Sequence, residues 1–129
     1  RTSSSAASDV YKRQAMGHGW EAWKTMPHER QRLIDLIDQS SSDSVLFISG
    51  DRHRGGLYQL TSASGKNIVE MTSSSLNLSF TNDEEAGPLR VGPTFVQENY
   101  GEMLLDKMTS KLTVNLKDNE GNIIQTVDL

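Results

Sequence analysis

The sequence predicts an α/β (α+β) fold in which one helix and a buried strand lead into an antiparallel β meander. Three observations carry this: an apolar stripe at helical spacing in PHERQRLIDLIDQ, a continuous apolar run VLFIS shortly after it, and alternating strand and turn segments from there to the C-terminus. In the helix, Leu33, Ile34 and Ile37 share one face, Leu36 lies at its edge, and the charges stand opposite. Pro27 suits the first turn, where its missing N–H costs nothing, and Glu29 lies near the positive end of the helix dipole. The run SSSDS ends the helix. Residues 45–49 then read as a strand buried on both faces of a sheet, because they are continuously apolar and partly β-branched. Residues 56–61 and 67–73 read as a hairpin closed by SASGK. Residues 81–93, TNDEEAGPLRVGP, read as a polar surface loop that orders around a ligand or partner. Residues 100–106, 111–117 and 123–129 are three further strands, the last two joined by DNEGN with Gly121 at a positive φ.

Composition narrows the function. A chain of 129 residues with 35% apolar content is one domain's worth of core. Thirteen Lys and Arg against 17 Asp and Glu give a net charge of −4, against the summed positive potential that general nucleic-acid or anionic-membrane binding needs. Zero cysteines exclude a disulfide scaffold and a thiolate zinc site. The longest apolar run, residues 45–48, falls far short of the roughly 20 residues of a membrane-spanning helix. Oligomeric state leaves no trace in the sequence. Residues 1–14 show no apolar periodicity and read as disordered; within them SSAASDVYKRQ resembles the in-frame translation of a transposase sequencing adapter. Setting that segment aside leaves 10 basic and 16 acidic residues, a net charge of −6.

The chemistry concentrates in SGDRHRGG, directly after the buried strand, where loops at strand carboxyl ends can approach a ligand without disturbing the core. In extended backbone Asp51 and His53 project to one side, and a carboxylate with an imidazole suits oxygen and nitrogen ligation of zinc, manganese or iron. The same triplet also fits a polar loop whose Asp bonds nearby amides. Arg52 and Arg54 are bidentate partners for a phosphate ester, or else surface arginines that face away from Asp51 and His53. His28 at the helix start reads as solvated or capping, and His18 sits in a Gly-rich entry. Trp20 and Trp23 read as core-edge aromatics. Ser73, Ser74 and Ser75 offer hydroxyls to an anion or serve as turn residues.

These pieces, taken in order, resemble the carboxy-terminal part of the alkaline phosphatase D (PhoD-like) metallophosphatases. The motifs are W-x-x-x-P-x-x-R at Trp23, Pro27 and Arg30, SGDRH at 49–53, EMTSSSLN at 70–77 and ENYGEMLLD at 98–106. The resemblance covers residues 20–129 and implies a calcineurin-like sandwich of two mixed sheets with a metal centre at the sheet edge. It implies phosphomonoester or phosphodiester hydrolysis by a metal-activated water, with Asp51 and His53 as late metal ligands. Iron and calcium are the ions it favours, with zinc or manganese as alternatives. Asn77, Arg90 and Asn99 lie in matching segments and join Arg52 and Arg54 as candidate contacts to a phosphate-ester substrate. Relatives are usually exported, which implies an extracytoplasmic location.

The family's earlier ligand motifs do not appear in the chain. Residues 15–129 therefore read as the C-terminal part of the domain, truncated at its N-terminus, inactive alone and marginally stable through an exposed strand edge. Two other readings stay open: a non-catalytic β-rich module that binds a ligand or protein, and a family member that kept the fold and lost catalysis.

Overall fold

The computed structural model describes residues 26–80 and 89–129. The readings of residues 1–14, His18, Trp20 and Trp23, and of most of the 81–93 loop, fall outside them. The chain builds three layers: helix α1 (Pro27–Gln39), then a four-stranded sheet of β1 (Ser44–Ser49), β2 (Gly55–Thr61), β3 (Asn67–Thr72) and β4 (Arg90–Phe95), then a three-stranded sheet of β5 (Asn99–Asp106), β6 (Lys111–Asp118) and β7 (Ile123–Asp128). The first sheet runs β1-β3-β2-β4 and the second β5-β6-β7. All three strands of the second sheet pair antiparallel, as the meander reading expects.

The helix forms over the residues its apolar spacing marks. It buries Ile34 and Ile37 against Tyr58 and Ile68, with Leu33, Val45 and Phe47 packed around them, while Leu36 stays 63% exposed. His28 is exposed, and no side chain caps the helix start. At the other end the Lys66 ammonium, from the SASGK turn, donates to Ser40 O at 2.5 Å and Ser42 O at 2.8 Å. A cation there meets the negative end of the helix dipole and its unsatisfied carbonyls.

Alternation along β3 separates the two cores. Ile68 faces the helix, whereas Val69 and Met71 join Leu57, Val114 and Val127 between the sheets. Close approach of the sheets depends on glycine at two points among the described residues, Gly55 and Gly101, the latter packed on Met71. A Cβ on Gly55 would lie 2.7 Å from Leu116 Cδ1 and 2.8 Å from Asn99 Oδ1.

Two strand expectations need correction. β1 is not buried on both faces, since Ile48 is 52% exposed; among the described residues it pairs only with β3, the exposed strand edge that the sequence leads one to expect. Its apolar run reflects the helix on one side and partial cover on the other. Residues 90–93 are not loop but the start of β4, which pairs antiparallel with β2 through a register shift between Gly55 and Leu57. The sequence hid this strand because Gly92, at φ 79°, and Pro93 read as turn signals. An edge strand tolerates both, since its outer side needs no ladder donors.

Among the described residues five carboxylates titrate below their ordinary range because neighbours stabilise the anion. Asp38 is held down by the Ser62 and Ser64 hydroxyls, Glu102 by Lys117 and Asn115, and Asp106 by the Thr109 hydroxyl. Asp118 is held down by the Asn122 amide and Asp128 by Lys111 and Thr113. Each binds protons more weakly in the folded than in the unfolded chain, so its contribution is present at neutral pH and fades as pH falls through the carboxylate range. Lys117 is raised by Glu102, so its contribution disappears as pH rises beyond its ordinary value of 10.5.

Two outcomes follow. The thermal midpoint is expected to fall as pH drops below about 4, and Glu102→Gln to flatten part of that acid limb; a pH series of melting curves checks both. Gly55→Ala is expected to cost about 1–3 kcal/mol by overpacking the sheet contact, read as a lower urea midpoint with unchanged slope.

Candidate metal and phosphate site

Parallel pairing of β1 with β3 places both carboxyl ends, Ser49 and Thr72, side by side, so the loops that follow leave from the same edge of the sheet. They are tied together at several points. Ser73 N donates to Ser49 O at 3.0 Å, and the Ser74 hydroxyl lies 3.4 Å from both the amide nitrogen and the carbonyl oxygen of Arg54. Phe80 N donates to His53 O at 2.9 Å. Residues 50–54 and 73–80 therefore form one paired-loop platform.

His53 is the most tightly placed candidate ligand. Its Nδ1 lies 2.7 Å from Leu78 O, and its ring stacks on Phe80 with centroids 4.4 Å apart and planes 24° apart. A carbonyl can only accept, so Nδ1 carries the proton, and the neutral ring keeps a lone pair on Nε2. That is the arrangement in which protein histidines bind metals. Asp51 is exposed and has no such fixed orientation.

The backbone here departs from the extended path. Asp51 at φ 65° and His53 at φ 53° both occupy the left-handed region. Two side chains two residues apart no longer project to one side by strand alternation; the loop coils instead, between Gly50 and Gly55. Asp tolerates this conformation by local hydrogen bonding, yet two such residues in three positions remain unusual outside sites that require them.

Coiling also changes the arginines. Arg52 and Arg54 are both 8% exposed, where a surface reading would leave them in water. With Glu70, at 0% exposure in the middle of β3, they are the charged side chains buried among the described residues. Glu70 Oε1 accepts the Ser49 hydroxyl at 2.6 Å. The motif comparison covers Glu70, but its role escaped the residue-level reading; the signal was a lone charge inside the apolar strand NIVEMT.

The remaining candidates are not brought together. Asn99 is 1% exposed, and its side chain is committed within the fold: Nδ2 donates to Ser74 O at 2.8 Å and Gln97 O at 2.7 Å, and Oδ1 accepts from the Ser73 hydroxyl at 3.2 Å. It pins the platform to the second sheet. Arg90 sits beside Tyr58, three residues up β2 from Gly55, and donates to the Thr94 hydroxyl at 2.5 Å. Asn77 is exposed on the platform itself. Ser73 and Ser74 serve as loop ties, the turn chemistry expected of a serine cluster. Among the described residues no group of three or more His, Asp or Glu side chains comes within reach of one ion, and no helix is long and apolar enough to cross a membrane.

The family profile for the PhoD-like phosphatases matches residues 3–128. The chain belongs to that family. The match spans the platform, both sheets and the helix, and also extends over most of the segment set aside as adapter-like. Membership gives the chain a phosphatase-type, hydrolytic character, with phosphate esters as the class of substrate. No curated protein and no solved structure matches the chain.

The Ser49–Glu70 contact is testable. Ser49→Ala deletes the donor and leaves part of a buried carboxylate unsatisfied, at an expected cost of about 1.5–3 kcal/mol. Urea unfolding of the variant checks it, and a change within about 0.5 kcal/mol would remove Glu70 from the account of the platform.

Proposed function

We propose that this chain supplies part of the metal centre of a metal-dependent phosphate-ester hydrolase, with His53 and Asp51 as two of the ligands. The observation that carries the reading is the fixed imidazole: Nδ1 committed to Leu78 O, the ring held by Phe80, and Nε2 left for coordination. The donor set is nitrogen and oxygen without sulfur, which suits iron, calcium, manganese or zinc. A metal bound there supplies Lewis-acid polarisation of the phosphoryl group and a water of lowered pKa. Any further ligands come from water, substrate or residues outside the described segments.

The chain's own residues do three things in this reading. His53 holds its lone pair in one direction. Glu70 and Asn99 keep the loops in register beneath it. Arg52 and Arg54 bring two positive charges, against one from Glu70 of opposite sign, to the end of the sheet where a dianionic ester would dock. The 129-residue chain alone is expected to show little turnover, since a hydrolytic centre needs more ligands than this loop provides.

His53→Ala is expected to lower metal affinity about tenfold or more, whereas His28→Ala leaves it unchanged. Metal content by mass spectrometry after gel filtration checks this. Unchanged metal content in the His53 variant would transfer the lead to the non-catalytic binding reading.

A further inference from the structure

The two sides of the sandwich are finished differently. On one side β4 carries Pro93 and left-handed Gly92, the β6–β7 ladder shifts register between Leu116 and Lys117, and the Gln125 side chain of β7 ties the sheets together by donating to Pro93 O and accepting from Leu57 N. Proline and bulges of this kind keep a strand edge from recruiting another strand. On the other side β5 has neither. It runs eight residues, NYGEMLLD, without lysine, arginine or proline, and pairs with β6 through an unbroken register. Among the described residues its second edge has no partner strand.

The core stops along the same line. Residues directly opposite on paired strands share a face, so Gly101, Met103 and Leu105 face inward with Leu116, Val114 and Leu112. Leu116 and Val114 are fully buried and Gly101 packs on Met71, whereas Met103 is 49% and Leu105 60% exposed. An open ladder and an unfinished inner layer therefore coincide on one strand.

The order of side chains along β5 fits a second copy of itself. A two-fold axis through Met103, normal to the sheet, sets two β5 strands antiparallel with their faces matched. On the inner face Met103 then meets its own copy, and Leu105 lies opposite Gly101, which has no side chain to oppose it. On the outer face Glu102 lies opposite Leu104, and Tyr100, a hydroxyl donor, opposite the Asp106 carboxylate. Glu102 keeps Asn115 and Lys117 as partners within its own chain, so it brings no unpaired charge to the joint. Moving the register one step either way sets Glu102 against Glu102 or against Asp106, and like charges directly opposite are unfavourable. We propose that β5 pairs with β5 of a second copy of this chain about Met103, joining two three-stranded sheets into one of six strands. The pairing is independent of the phosphoester reading of the His53 loop.

The chain has no cysteine, so a single introduced one reports the contact. Opposed residues of an antiparallel pair have Cα atoms roughly 4.5–5.5 Å apart, within disulfide reach. On oxidation of the full chain Met103→Cys is expected to give a covalent dimer, whereas Leu105→Cys and Met108→Cys, which are more exposed but do not face themselves, stay largely monomeric. In sedimentation equilibrium the parent chain is expected to be dimeric, and Met103→Lys to raise the dimer Kd about tenfold or more by setting two ammonium groups in place of an apolar pair. Ile48→Lys, on the open edge strand of the other sheet, is expected to leave that Kd unchanged. A monomeric parent chain, equal cross-linking at the three cysteines, or a dimer that survives Met103→Lys but is lost with Ile48→Lys overturns the pairing.

Discussion

A carboxylate with no access to water constrains this end of the molecule. Glu70 sits in the middle of β3, flanked in register by Phe47 on β1 and Tyr58 on β2, where a bare charge would cost several kcal/mol. Ser49 answers part of that demand from the neighbouring strand, and it can do so because β1 and β3 run parallel with Ser49 opposite Thr72. The same pairing delivers two loops to one edge. The chemistry of the platform therefore depends on a pairing whose register satisfies a buried anion.

Around that anchor the packing forms a rigid floor and a more open rim. Gly55 lets the second sheet approach until Leu116 and Asn99 meet the start of β2, and Asn99 then fastens residues 73 and 74 with two of its three hydrogen bonds, the third going to Gln97 O. Above this floor the chain coils through two left-handed residues, Asp51 and His53, and the strain is offset by the ties to Leu78 and Phe80. An imidazole fixed on such a floor loses little freedom on coordinating an ion, which is what preorganisation contributes to a metal site. Asn99 belongs to the floor, not to the substrate contacts that its motif suggested.

Much of the fold was legible in the sequence because its signals are local. The helix stripe, the SASGK turn and the DNEGN turn with Gly121 at φ 89° each act within a few residues, and each element lies where its pattern puts it. β4 was not legible, because Gly92 and Pro93 signal a turn and only the outer position beside β2 makes them acceptable in a strand. The half-open face of β1 was not legible either. An apolar run reports how much cover a strand has without saying from which side, and strand order is a long-range property.

By itself the sequence determined the element order, the absence of sulfur ligands, the family to which the chain belongs and the loop where its chemistry gathers. Composition and short-range spacing are sufficient for these. Tertiary structure alone decided how those residues are used: it buried Arg52, Arg54 and Glu70, coiled Asp51 and His53 out of the extended path, and gave His53 its partner 25 residues away at Leu78. Which nitrogen of an imidazole is free, and which charge is removed from water, depend on neighbours brought together by strand pairing, and no pattern along a single chain carries that information.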